Sequence, residues 1–134
     1  EARGGLQTLE TYKNFQIQAN KVKDDLLSFL IEQKKSGKKV AAYGAAAKGN
    51  TLLNYAGVKS DLLPFICDAG IAKQGKYTPG SHIPILPPSA LSSGFWDFIL
   101  VLPWNIAREI MAENSDLIDS GTKFVVAVPE MRTL

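Results

Sequence analysis

The sequence of 134 residues predicts an α/β domain in three layers, a mostly parallel sheet with helices on both faces, preceded by a long N-terminal helix. Three observations carry that reading. Short, nearly continuous apolar runs alternate with segments of helical spacing, as strands covered on both faces do. A glycine-rich turn, Gly44 to Gly49, joins the first such run to a helix. Residues 8–35 carry apolar positions mostly three and four apart, with no Pro or Gly among them. Residues 1–36 are thereby assigned to an N-terminal segment and long helix, and residues 37–134 to the core of the same domain. A core in a chain of this length buries roughly two-thirds of the surface that the unfolded chain exposes.

Taken in order, Leu9, Tyr12, Phe15, Val22, Leu26, Leu27, Phe29, Leu30 and Ile31 mark the apolar face of a helix from Thr8 to Lys35. Ser36-Gly37 is its stop signal. Val40-Ala41-Ala42-Tyr43, closed by Gly44, reads as the first buried strand. A second helix starts near Gly49–Thr51, turns Leu52, Leu53 and Ala56 inward and stops at Gly57. Leu63 to Asp68 is a second strand ending in an acid. Residues 69–81 hold Gly70, Gly75, Pro79 and Gly80 and read as a loop. His82-Ile83-Pro84-Ile85 is a short third strand confined to an edge by its Pro, and Pro87-Pro88-Ser89 opens a helix. Asp97 to Leu102 is the clearest strand, Asn105–Glu113 a helix, and Lys123 to Val128 the last strand.

Composition removes several function classes. An apolar fraction of 46% with 21% charged residues is that of a globular domain, and no apolar run reaches the roughly 18 residues of a membrane span. Nine Lys/Arg face five Asp/Glu in residues 1–50, and six face eight in residues 51–134. The densest cations, Lys34, Lys35, Lys38 and Lys39, fall where a helix ends and suit its dipole, so they are no argument for nucleic acid. The single cysteine, Cys67, lies in an apolar run. It supports neither a disulfide framework nor a cysteine-rich metal site and fits a reducing, cytoplasmic setting. The chain opens at Glu1 without an export pattern and reads as a domain excised from a larger protein.

The turn Tyr43-Gly44-Ala45-Ala46-Ala47-Lys48-Gly49-Asn50-Thr51 matches the spacing Gly-x-Gly-x-x-Gly of a Rossmann-like dinucleotide fold, with Ala46 in place of the middle glycine. That glycine normally lets a pyrophosphate approach the backbone, and one methyl group makes the approach harder. Free amides at the start of a helix, its dipole and Lys48 favour a phosphate there. Asp68 follows Gly44 by 24 residues, where such folds place an acid that accepts hydrogen bonds from ribose hydroxyls. The alternative stays open that the glycines serve only a tight turn and that Asp68 caps a loop. Lys48 precedes Gly49 rather than following it, so the turn is not that of a nucleoside triphosphatase.

The segment 73–82 gathers Lys73, Lys76, Tyr77 and His82 around the hinges Gly75 and Gly80. Such a loop suits closure over an anion, the lysines as point charges and Tyr77 as a stacking surface or donor; a solvated surface loop has the same make-up. Leu102-Pro103-Trp104-Asn105 lies where a parallel strand ends, the edge at which open α/β sheets bind ligands. Asn105 there is also a natural helix N-cap and Trp104 a core cover. No geometry in the sequence joins Asp97 to Glu109, and no catalytic residue or metal ligand is assigned.

The stretches at 43–55, 73–85 and 102–105 together, Tyr-Gly-Ala-Ala-Ala-Lys-Gly-Asn-Thr-Leu-Leu-Asn-Tyr, Lys-Gln-Gly-Lys-Tyr-Thr-Pro-Gly-Ser-His-Ile-Pro-Ile and Leu-Pro-Trp-Asn, resemble the C-terminal domain of sugar C-methyltransferases. Those enzymes use S-adenosylmethionine to methylate nucleotide-linked 4-keto-deoxysugars. The resemblance runs from about Tyr12 to Pro129. It implies that the methyl donor and the deprotonating residues belong to a preceding methyltransferase domain, and that this domain, inactive by itself, helps to hold a nucleotide diphosphate sugar. The substrate-facing positions it implies are Gly44, Ala45, Ala46, Ala47, Lys48, Gly49, Asn50, Thr51, Lys73, Lys76, Tyr77 and His82, with Trp104 and Asn105, and Asp68 joins them from the glycine-turn argument. Asp68-Ala69-Gly70-Ile71-Ala72 departs from the family's usual form, in which a Pro precedes Lys-Gln-Gly by two residues. Two rivals remain, a dinucleotide-binding oxidoreductase domain and a non-catalytic interdomain scaffold.

Overall fold

The computed structural model describes residues 2–134, with side chains from Thr8 onward. Helix α1 (Ala2–Lys35) leads into β1 (Val40–Tyr43), α2 (Ala47–Ala56), β2 (Ile66–Cys67), β3 (Ile85–Leu86) and a 3-10 turn at Pro88–Ser93. Then follow β4 (Phe98–Val101), a second 3-10 turn at Trp104–Ile106, α3 (Ala107–Glu113), α4 (Ser115–Asp119), β5 (Lys123–Val126) and β6 (Arg132–Thr133). The strands form one sheet in the order β3-β2-β1-β4-β5-β6. β1 to β5 are parallel and β6 is antiparallel to β5. This is the strand order of a doubly wound dinucleotide fold, with its crossover between β1 and β4.

Side-chain alternation along β1 divides the core in two. Val40 and Ala42, with Leu100 and Val125, face Val22, Leu26 and Leu30 of α1 and Leu53 of α2. Ala41 and Tyr43, with Ile99, Val101, Phe124 and Val126, face Leu91 and the α3 residues Ala107 and Ile110. Both faces are therefore covered, as the apolar runs require. Leu26, Leu53, Leu100 and Phe124 are almost wholly buried, each contributing on the order of 1.5–3 kcal/mol of transfer free energy.

The structure corrects several expectations. Helix α1 begins at Ala2, well before Thr8, and buries only the part from Val22 onward; Leu9, Tyr12 and Phe15 stay exposed, Phe15 at 69%. The run Leu63 to Asp68 is largely buried but pairs as a strand only at Ile66–Cys67, because Pro64 has no N–H to offer a ladder. The third strand is Ile85–Leu86, not His82–Ile85. His82 sits at φ 54° in a turn, and Pro84 delays the ladder. Residues 69–81 are not a free loop. Gly75 and Thr78 donate backbone hydrogen bonds to Ile85 and Ile83, and Ile85 donates to Lys76, which makes residues 75–85 a hairpin arm along the edge of the sheet. Asn105 does not cap α3; it lies inside a 3-10 turn, and no side chain caps the helix after it. The last strand stops at Val126, before the cis peptide between Val128 and Pro129. Helix α4 and strand β6 had no counterpart in the sequence reading.

Candidate functional site

The carboxyl edge of β1 and β4 is built around the glycine turn. Gly44 has φ 89°, a left-handed conformation that side chains disfavour, and its N–H donates to Cys67 O at 2.7 Å. A Cβ on Gly44 would stand 2.4 Å from Pro103 Cδ, and one on Gly49 would stand 2.5 Å from Leu102 Cβ. Both glycines are thus demanded by the chain that leaves β4. Ala46 N donates to Gly44 O and Asn50 N to Ala46 O, each at 2.9 Å. The latter is the first bond of α2, so the amides of Ala47, Lys48 and Gly49 open the helix without helical partners. Ala46 is the N-cap residue and has no side chain to satisfy them.

Asp68 ties this turn to the segment after β2. Its Oδ2 accepts from Ala45 N at 2.8 Å and its Oδ1 from Gly70 N at 2.7 Å. Lys73 Nζ donates to Ala45 O at 3.0 Å and lies 3.9 Å from Asp68 Oδ2. A carboxylate offers about four acceptor positions, so roughly half of the capacity of Asp68 is already spent on its own backbone. Beside these residues opens a cavity of about 330 Å³, lined by Gly44, Ala46, Asp68, Lys73 and Pro103 with Glu109 and Glu113 of α3. Tyr43 also lines it, and burial raises the pKa of its phenol, which stays protonated.

The structure gathers Gly44, Ala46, Asp68 and Lys73 at one cavity and disperses the other predicted positions. Ala45 serves through its backbone. Ala47 and Lys48 are exposed on the first turn of α2, and Thr51 Oγ1 turns back to Ala47 O at 3.0 Å. Asn50 instead faces the hairpin arm, where its Oδ1 accepts from Ser81 Oγ at 3.3 Å, while Asn54 Nδ2 donates to Pro79 O at 3.0 Å. Lys76 is exposed on that arm, and Tyr77 stacks on His82 with ring centroids 4.3 Å apart. Trp104 and Asn105 line a separate cavity of about 190 Å³ on the other side of the turn that follows β4. Asp97, at the opposite end of β4, accepts Lys39 N at 2.8 Å and is far in sequence and fold from Glu109.

Sequence reasoning considered Glu109 only as a partner for Asp97 and set it aside, and it did not single out Glu113. Their spacing of four on one helix was the available signal, but only the fold lays that helix over the glycine turn. The cavity they help to line carries three carboxylates against one lysine. At about 330 Å³ it sits at the small end of ligand pockets, which run from about 300 to 1,000 Å³. With Ala46 at the pyrophosphate position and Asp68 partly engaged, the crevice encloses only part of any nucleotide-sized ligand. Among the described residues no group of His, Cys, Asp and Glu could hold a metal ion, and no helix is long and apolar enough to cross a membrane.

A doubly wound α/β module with its crevice at a glycine turn is the class of domain that these features define. The chain belongs to the family described as the C-methyltransferase C-terminal domain, whose model matches residues 1–129. It is 34% identical over all 134 residues to the C-methyltransferase NovU of Streptomyces niveus, and it spans about a third of that protein, 32% of its length.

Proposed function

We propose that this domain is the substrate-holding module of an S-adenosylmethionine-dependent C-methyltransferase and that its ligand is a nucleotide diphosphate sugar. The observation that carries the proposal is the crevice at the β1–β4 crossover, lined by Gly44, Asp68, Lys73 and Pro103, in a chain of this family. In this reading the methyl donor belongs to a preceding domain, as the resemblance to sugar C-methyltransferases implies. A ketone acidifies the neighbouring C–H, so a general base in that domain forms an enolate whose carbon takes the methyl group. The present chain contributes position and exclusion of water. In this reading a phosphate lies outside the crevice proper, at the start of α2 against the amides of Ala47, Lys48 and Gly49 and the exposed Lys48 ammonium, while Asp68 retains acceptor capacity for a sugar hydroxyl. The parent enzyme acts in the cytoplasm, and the domain alone transfers no methyl group.

A scaffold role is favoured by a separate observation. Gly44 and Gly49 are both explained by close packing on Pro103 and Leu102, without a ligand. An NMR titration of the chain with a thymidine diphosphate sugar, NAD and S-adenosylmethionine separates the readings. The proposal expects shifts at 44–51 and 73–82 with the sugar nucleotide alone, weakened in Lys48→Ala. Selective NAD binding overturns it in favour of an oxidoreductase domain, and silence with all three ligands favours the scaffold.

A further inference from the structure

The apolar seam that holds α1 to the sheet does not stop where the sheet stops. Tyr12, Phe15, Ala19, Val22, Leu26 and Leu30 follow one another at steps of three or four, which keeps them on one side of the helix. Leu30, Leu26 and Val22 are buried against the strands and Ala19 is half-buried, whereas Phe15 and Tyr12 are 69% and 63% exposed. Only residues 36–39 separate α1 from β1, so the helix runs antiparallel to the strand and begins towards the carboxyl edge. Gln18 Nε2 donates to Pro129 O at 3.1 Å, and Pro129 lies past the carboxyl end of β5. The helix before Gln18 therefore projects beyond that edge. Its bare seam continues the side that faces the sheet, so it looks into the space above the edge, where the crevice opens.

We propose that this bare seam, Leu9, Tyr12 and Phe15, is the seat of the domain that precedes this one in its parent polypeptide. The inference rests on the reading that a methyltransferase domain precedes, and it adds the surface on which that domain sits. The chain belongs to a family of C-terminal domains and spans 32% of the length of NovU, so most of such a protein lies outside it. Of the elements described, α1 comes first in the chain and so stands nearest to a preceding domain in sequence. A second copy of the chain is the poorer occupant. Tyr12 and Phe15 are each exposed to about two-thirds, so of the roughly 150–250 Å² that an aromatic side chain can bury, the pair offers about 200–350 Å². Leu9, half exposed, adds less than one ring more. A stable interface between free partners takes about 800 Å² from each. A tethered domain needs less, because the covalent link holds it near the seam at an effective concentration of about millimolar. Seated there, it stands over the mouth of the crevice and supplies a wall that the crevice lacks by itself.

The test replaces Phe15 or Ile17 of the full parent polypeptide by the photoreactive p-benzoylphenylalanine and maps the crosslinks by peptide mass spectrometry. Position 15 is expected to link to the preceding domain of the same polypeptide. Position 17, equally exposed but on the opposite side of the helix, is expected to form no such link. Hydrogen exchange gives a second reading. The amides of residues 8–15 are expected to exchange at least about tenfold more slowly in the parent than in this chain alone, since a docked helix no longer frays. Tyr12→Ser together with Phe15→Ser is expected to abolish that difference. Both side chains are exposed in this chain, and unchanged exchange at Leu26 and Leu30 shows that the variant is folded. No crosslink from position 15, equal crosslinking from 15 and 17, a link that joins two copies of the chain, or equal exchange in parent and isolated chain overturns the proposal. The crosslinks are read without substrate, so a failed sugar-nucleotide titration and a failed docking surface are separate results.

Discussion

A methyl group added at position 49 sets two effects against each other. Alanine is better than glycine in a helix by about 1 kcal/mol, but its Cβ would stand 2.5 Å from Leu102 Cβ, an atom next to the backbone with little freedom to retreat. Overpacking of that kind costs about 1–3 kcal/mol, so Gly49→Ala is expected to lower stability by up to about 2 kcal/mol. Gly44→Ala adds a strained φ to its collision with Pro103 and is expected to cost more, about 2–4 kcal/mol. Urea midpoints at constant m test both, and a stabilised Gly49→Ala would show that the turn repacks freely. Cys67 offers a second residue-scale prediction. Burial pushes its thiol from 9.0 up to about 12, so the native thiol holds its proton where the unfolded one has lost it. This contribution to stability is whole below pH 9 and falls away as the pH rises towards 12. At pH 8 the thiol is expected to react with iodoacetamide only as fast as the chain opens, in step with added urea; rapid labelling of the native protein would contradict its burial.

Helix α1 shows what a sequence periodicity can and cannot say. The apolar spacing that marks Val22, Leu26 and Leu30 continues back through Phe15 and Tyr12, yet only the later residues meet the sheet. Leu26→Ala is therefore expected to cost about 2–5 kcal/mol, as deletion of a packed core side chain does. Phe15→Ser stays within about 0.5 kcal/mol. Thermal and urea unfolding of the two variants checks the contrast, and equal losses would mean that the first half of α1 is buried after all. Strands β1, β4 and β5 were legible because they are fully buried and read as unbroken apolar runs. β2 and β3 were harder to delimit. The prolines at 64 and 84 end the ladder inside runs that are still buried, and burial is what the sequence pattern reports. Residues 75–81 of the arm were read as a loop because Gly75, Pro79 and Gly80 signal turns, and their backbone pairing with the strand that follows leaves no mark on composition.

At the scale of the molecule, the strand order puts the glycine turn, the post-β4 turn and the start of α3 on one edge. The sequence located that edge through Gly44 and the Pro103–Asn105 corner. It did not show the α3 carboxylates on that edge, because Glu109 and Glu113 acquire meaning only when α3 is seen folded over the strand ends. The two margins of the sheet have a consequence of their own. β3 does not end the sheet in bare backbone; the arm from Gly75 covers it, presents Lys76 outward and stops at Pro79. The far margin, β6, is only two residues long, and both are polar. Charged, short or proline-terminated margins are what keep sheets from recruiting strands of other molecules. The domain thus carries its own guard against fibrillar association, and anything that peels the arm away would uncover Ile85 and Leu86 as a template for it.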